Sequence, residues 1–457
     1  MRSRVRSGQA RCPFIVFVTV LVTATPGSAQ IRLEPSPNSL SADVAVAQGT
    51  QSGREVTVAD LQRLALAGNA DLLATRQDIA AARGRLTQSR LRPNPGLDFT
   101  MGSGRLLGSP GEREIDVGYA HTFELGGKRA RRIDVGRVGV EIAELQVADR
   151  ERRLTGEIKA RYAETLAARR NFEILGELYE LNQRSYQVAE RRISEGEAPA
   201  VERALLQVEV GRIGADRVLA GGMAERALAE LKLSAGLPMS DVVRPTGSLS
   251  IAPAVVTLEN AIAQALDARP DLKTARQEEA QADAEVRLTR ADRVPDLIGV
   301  ARYSRVESRF DQFGMTATGQ LVPVRDTDHI LTAGVSIPLP FANRNQGNIA
   351  ASTARRQAAA LRREFVEQTV RAEVTAAYAR YSAARRAVEL FDQQVVGQAQ
   401  ESVNTIRTSY DLGELRLLDV LQEQRRLVDT QKAYTDILKE HYVARAALEE
   451  AISRELR

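Results

Sequence analysis

A mainly α-helical fold of long hairpins with a small β part is what this sequence predicts, and three observations predict it. Two stretches of more than 60 residues, about 130–193 and 346–410, are helical in pattern and contain no proline. Four segments alternate apolar and polar residues with a period of two, the mark of strands with one apolar face. The chain also repeats itself. Residues 56–97 align without a gap to 256–297 at an offset of 200, and 13 of the 42 positions are identical, where chance gives about three.

Residues 1–29 have the form of a secretory signal. Arg2, Arg4, Arg6 and Arg11 make a positive start, and Pro13 to Thr23 is an apolar run too short to span a bilayer. Gly27-Ser28-Ala29 offers small residues for cleavage before Gln30. Those arginines are the segment's only charges, so the remainder carries 59 basic and 59 acidic residues and no formal net charge. The basic character of the whole chain therefore says nothing of nucleic acid, and no nucleic-acid partner is expected. Cys12, the only cysteine, lies inside the signal. The mature chain is expected to hold no disulfide and no thiol ligand. Gln9-Ala10-Arg11 before it is not the small apolar run of a lipoprotein cleavage site, so no lipid anchor is expected. Residues 30–55 read as an extended linker, and no later stretch offers 18 consecutive apolar residues.

The first repeat spans 56–255 and the second 256–457. Each reads helix, strand, strand, helix, turn, helix. Thr57 is a good N-cap for a helical stretch over 58–91. Arg92-Pro93-Asn94-Pro95 ends it, because each proline pushes its predecessor into extended backbone. Leu97, Phe99 and Met101 then alternate with Asp98 and Thr100. After a Gly/Ser/Pro loop, Ile115, Val117, Tyr119, His121 and Phe123 alternate with Asp116, Gly118, Ala120 and Thr122. In the second repeat, 296–305 is strand-like, a loop of about 24 residues is expected, and Leu331, Ala333, Val335 and Ile337 alternate with Thr332, Gly334 and Ser336.

The long helices carry coiled-coil seams. Val420, Leu427, Tyr434, His441 and Leu448 fall seven apart, with Leu417, Leu438 and Ile452 at the companion position, which Gln424, Gln431 and Arg445 interrupt. Phe172, Leu175, Tyr179, Tyr186, Ala189 and Ile193 show the same spacing in the first repeat. The stretches 199–235 and 258–291, laid end to end, match the first long helix in length. At about 1.5 Å per residue, roughly 65 residues reach on the order of 100 Å, more than a compact domain needs.

Four strands cannot close a barrel, and an open sheet edge in lipid leaves backbone groups unpaired. The strands must then be shared among two, three or four copies, or lie as a soluble β-layer against the helices. Metal and catalytic chemistry is sparse. His121, His329 and His441 form no metal-ligand spacing, and Gly126-Gly127-Lys128 lacks the rest of a phosphate loop. No cofactor and no enzymatic activity are expected.

The duplicated plan resembles the TolC family of outer-membrane efflux factors. So does the exit from the last strand, Ile337-Pro338-Leu339-Pro340-Phe341-Ala342-Asn343-Arg344-Asn345-Gln346-Gly347, which is similar to the heavy-metal branch of that family (cobalt–zinc–cadmium and copper–silver). A repeated helical turn, Glu195-Gly196-Glu197-Ala198 and Leu412-Gly413-Glu414-Leu415, adds to the resemblance, the second copy continuing into Leu417-Leu418-Asp419-Val420-Leu421. The resemblance implies coiled-coil-like hairpins forming a periplasmic α-barrel. It also implies four strands per protomer in a trimeric transmembrane β-barrel. As partners it implies two sister subunits, outer-membrane lipid, a periplasmic membrane-fusion adaptor and a proton-driven inner-membrane pump. Gly196, Glu197, Gly413 and Glu414 become candidate adaptor contacts at the tip. Tyr410, Asp419 and Gln422 become gate candidates, with Gln422 standing where many relatives carry a second carboxylate. The function implied is a passive duct for small toxic solutes, heavy-metal cations among them. A protein-secretion duct of type I and a soluble periplasmic coiled-coil scaffold are the alternatives.

Overall fold

The computed structural model describes residues 53–104, 112–196, 199–412 and 414–456. The signal segment and most of the linker lie outside the described residues.

A short strand β1 (Arg54–Val56) leads into helices α1 (Val58–Gly68) and α2 (Ala70–Arg90). Strands β2 (Gly96–Ser103) and β3 (Arg113–Phe123) follow, then the 67-residue helix α3 (Lys128–Ser194) and α4 (Ala200–Ser234). After β4 (Val243–Pro245) the order recurs: α5 (Leu258–Ala268), α6 (Pro270–Ala291), β5 (Leu297–Met315), β6 (Leu321–Ser336), the 66-residue α7 (Gln346–Asp411) and α8 (Leu417–Ile452).

The stretch 58–91 is not one helix. Asn69 takes an extended backbone between α1 and α2. Its Oδ1 accepts from Leu72 N at 3.0 Å and its Nδ2 donates to Ser234 O at 3.0 Å, so one side chain caps α2 and ties it to the end of α4. Arg269 occupies the matching place before Pro270 at the start of α6. At the strand-to-helix exits, Gly127 (φ +72°) and Asn345 (φ +59°) precede α3 and α7 with left-handed backbone, a conformation glycine and asparagine tolerate best.

The expected 24-residue loop is also corrected. β5 and β6 form one long hairpin, paired from Ile298–Ser336 to Arg309–Arg325 and, past a bulge, to Met315–Leu321. Gly319 (φ +79°) turns it. In this outer part polar residues occupy both faces, Glu307, Ser308 and Arg309 on β5 and Arg325, Asp326, Thr327 and Asp328 on β6, which hides the period-two apolar signal while the backbone ladder continues.

The four long strands form one antiparallel sheet in the order β2-β3-β5-β6. Among the described residues no helix covers either face, so this is not a layer packed on the helical body: Leu331 is 80% exposed and Phe99 66%. β2 and β6 are left as open edges.

The upper part of α3 lies between α2 and α6, and its lower part packs on α4 and α8. Two cores mirror each other around the β1–β4 pair. One gathers Leu61, Leu72, Leu154, Ile158, Tyr162 and Leu231. The other gathers Leu272, Val370, Val374, Tyr381, Leu448 and Ile452. In each a buried tyrosine reaches the crossing segment: Tyr162 donates to Thr246 O at 2.6 Å, and Tyr381 to Ala254 O at 3.1 Å.

Candidate functional site

Two regions bear on function, the helical tip and the wall of strands. At the tip, Gly196 follows α3 with φ +80° and donates to Ile193 O at 3.1 Å. A Cβ there would meet nothing, so left-handed backbone is the reason for glycine. Glu414 donates its backbone N to Ser409 O at 2.9 Å, closing the α7 end. Glu197 and Gly413 lie outside the described residues.

Tyr410 is where the two hairpins meet. Its hydroxyl donates to Glu202 Oε2 on α4 at 3.3 Å and lies 3.5 Å from Arg192 Nη1 on α3. Burial, then the negative charge of Glu202, pushes its phenol up. Beside it Ala189 and Leu206 of the first hairpin pack on Leu417 and Leu421 of α8. Further along, Glu209 on α4 accepts from Arg212 at 2.7 Å and from Arg425 of α8 at 2.8 Å. Hydrogen bonding from Arg212 is the main reason its carboxyl lies below the usual range.

Asp419 and Gln422 share the α8 face turned away from buried Val420, Gln424 and Val428. Asp419 caps its own helix, accepting from Arg416 N at 3.0 Å. Gln422 is exposed, beside Arg425 and Arg426 in a groove against Phe391. Among the described residues Tyr410 forms no hydrogen bond to either. Toward the tip Glu202, Arg192, Glu209 and Arg425 carry polar links between the hairpins, as Lys159–Glu449 and Arg152–Glu450 do further up. Heptad patterning could not find them, because each sits among many charged residues on a solvated-looking helix surface.

The strand wall sorts its residues by parity. Paired residues of an antiparallel sheet share a face. Leu97, Tyr119, Ala301 and Ala333 form one row, and Phe99, Val117, Tyr303 and Leu331 the next. The opposite face is more buried, Asp116 being 6% exposed. It holds Asp98, Glu112, Glu114, Asp116, Asp326 and Asp328 against a single basic residue, Arg302, in the rows from Gly96 to Gly104. Arg302 reaches Asp98 at 3.4 Å, and Ser304 donates to Asp116. Among the described residues no group of three or more His, Cys, Asp or Glu could hold a metal ion.

Where the wall meets the helices, Lys128 Nζ lies 2.7 Å from Asp296 Oδ1, which also accepts from Leu125 N at 3.0 Å. Arg132 pairs with Glu124, and Arg129 donates to Arg90 O at 2.7 Å. These bonds lock β3, α2 and α3 at the sheet-to-helix elbow.

The outer membrane efflux protein family matches residues 61–237 and 261–454. The cobalt-zinc-cadmium resistance protein CzcC of Cupriavidus metallidurans is 25% identical over 402 residues, 86% of this chain and 88% of that protein. The nickel-cobalt-cadmium resistance protein NccC of Alcaligenes xylosoxydans xylosoxydans is 26% identical over 324 residues, 69% of this chain and 67% of that one. The fold is that of solved outer-membrane channels. A CusC structure superposes with a TM-score of 0.67 at 19% identity, covering 86% of this chain and 91% of that one. The CmeC channel of Campylobacter jejuni superposes with 0.70 at 15% identity, covering 88% and 86%. The chain belongs to the outer membrane efflux protein family, as the outer-membrane channel of an efflux system and not an enzyme.

Proposed function

We propose that three copies of this chain close a twelve-stranded barrel across the outer membrane and continue as a helical tunnel through the periplasm, passing divalent heavy-metal cations outward. The open edges β2 and β6 support the sharing of a barrel: each needs a partner, and β6 of one copy pairing with β2 of the next satisfies both. The acidic inner face of the sheet is the observation that carries the cation reading. Threefold repetition of Asp98, Glu112, Glu114, Asp116, Asp326 and Asp328 lines a water-filled wall with negative potential, which concentrates cations and slows anions. The resistance proteins similar to this chain are named for cobalt, zinc, cadmium and nickel, in line with that cargo.

The tip completes the reading. Tyr410, bonded to Glu202, holds the α7–α8 hairpin against α3–α4 and keeps the tunnel narrow at rest. Asp419 lines that constriction, with Gln422 lowering its charge by one carboxylate per subunit. The turns at Gly196, Glu197, Gly413 and Glu414 dock a periplasmic adaptor, which couples the duct to an inner-membrane pump that supplies the energy.

Two measurements test this. In planar bilayers the purified protein is expected to open pores that favour cations. A strain deleted for the gene is expected to lose tolerance to cobalt, zinc or cadmium while tolerance to organic drugs is unchanged. Absence of pores sinks the channel, and unchanged metal tolerance sinks the cargo.

A further inference from the structure

The outer face of the same sheet carries the opposite charge. Beyond the row Phe99–Val117–Tyr303–Leu331, the residues of that face are Met101, Ile115, Arg305 and His329, then Ser103, Arg113, Glu307 and Thr327, then Arg309 and Arg325. Four arginines thus stand against one glutamate, and Arg305 already pairs with that Glu307 at 2.6 Å. Arg309 and Arg325 lie directly opposite each other in register. Among the described residues neither of them forms an ion pair, whereas Arg113 stands directly opposite Glu307. Like charges facing across a ladder destabilise it, so this pair is in want of an anion.

Its height names the anion. The helices join the sheet at Phe123 and Leu297, so the β5–β6 turn is the end away from the periplasm. Eight residues separate the Leu297 row from the Arg305 row. At about 3.4 Å per residue and a tilt near 40°, the apolar band between them is roughly 21 Å tall, close to the ~25 Å band of outer-membrane barrels. Arg309 and Arg325 come roughly 10 Å higher on the lipid side, where headgroups lie and long arginine stems extend easily. Tyr303, whose hydroxyl lies 2.6 Å from His329 Nδ1, marks the boundary between band and headgroups.

We propose that Arg309 and Arg325, with Arg113 and Arg305 beneath them, clamp the phosphate groups of a phosphorylated glycolipid in the outer leaflet. A phosphate between two guanidinium groups takes paired, charge-assisted hydrogen bonds and removes their repulsion. The clamp rests on the barrel reading above, since only a lipid-facing wall puts these side chains at headgroup height.

The test is thermal denaturation of the full-length protein in detergent, titrated with bisphosphorylated lipid A, its monophosphorylated and phosphate-free derivatives, or inorganic phosphate. The bisphosphorylated lipid is expected to raise Tm at the lowest concentration. Each arginine near an anionic lipid surface is worth about fivefold in affinity, so the double variant Arg309→Gln/Arg325→Gln should need roughly 25-fold more lipid for the same shift. Equal shifts from all three lipids overturn the clamp, and do so from the wild type alone if the variant fails to fold. An equal shift from inorganic phosphate overturns the lipid as its source. Conductance of the same preparation separates the two readings: a pore with no phosphate-dependent shift sinks only the clamp, whereas a wild type that opens no pore sinks the barrel and the clamp together.

Discussion

The Glu209 carboxylate of α4 accepts a hydrogen bond from Arg425 of α8 at 2.8 Å, joining the two helical hairpins along their lower half. Glu209 is buried and Arg425 half exposed, so the link is worth less than a fully buried pair. Glu209→Gln is expected to lower stability by about 1–2 kcal/mol, read as Tm. The pH dependence has a definite sign. The bonds from Arg212 and Arg425 lower the native pKa of Glu209 below its ordinary 4.5. Its contribution is therefore full above pH 4.5 and is lost as pH falls through the lower native value. Resting conductance should rise in acid for the wild type. It should already be raised at neutral pH in Glu209→Gln.

Tyr410→Phe removes the bond to Glu202 while keeping the ring against Leu417 and Leu421. Resting conductance is expected to increase severalfold with Tm lowered by no more than about 1 kcal/mol equivalent. An unchanged closed state would take Tyr410 out of the gate.

Asp419→Asn separates charge from capping. Asp419 is the third residue of α8 and reaches back to its N-cap, and the amide oxygen of asparagine can accept the same bond from Arg416 N, so the fold should survive. Cation preference and multivalent-cation block are expected to fall. Selectivity and block that stay as in the wild type remove Asp419 from the constriction.

His441 lies 2% exposed, stacked on Tyr381, with neither ring nitrogen bonded. Burial, helped by Arg445 on its own helix and Arg385 on α7 and opposed by Glu389, holds its pKa below the ordinary 6.5. The unfolded chain takes up the proton first, so stability is full above pH 6.5 and declines as pH drops through 6.5 toward the native value. His441→Phe should stabilise the protein by about 1 kcal/mol and flatten that decline. A wild-type Tm that is level between pH 7 and about 5 would contradict this.

Gly236 ends α4 with φ +68°, and a Cβ there would come within 2.7 Å of Gly68 C and 2.8 Å of Asn69 N. Those are backbone atoms at the α1–α2 junction and cannot swing aside. Gly236→Ala is expected to cost about 2–4 kcal/mol, from left-handed strain and overpacking together. Gly196→Ala, with open space around it, should cost about 1 kcal/mol. Equal Tm losses would refute the role of the junction.

The long helices α3 and α7, the alternating strands and their apolar faces were legible because each is a local, periodic signal. Period two and heptad spacing survive wherever one side of an element stays apolar. The break at Asn69 was not legible: its side chain bonds Ser234, 165 residues away. The outer half of the β5–β6 hairpin was missed because polar residues occupy both faces at 307–309 and 325–328, which interrupts the period of two. At the tip, Tyr410 was singled out only through the family resemblance, and its partners Glu202 and Arg192 could not be found, nor Glu209 with Arg425.

The sequence by itself determined the long helices, the apolar halves of the strands and the duplication of the chain, since period, proline placement and capping act over a few residues. Only the tertiary structure decided which charges meet and which face each one takes. Register along a strand sends neighbouring residues to opposite sides of the sheet, so Asp328 and His329 end on different walls. A charged pair across two hairpins is set by helix packing, which no local pattern encodes.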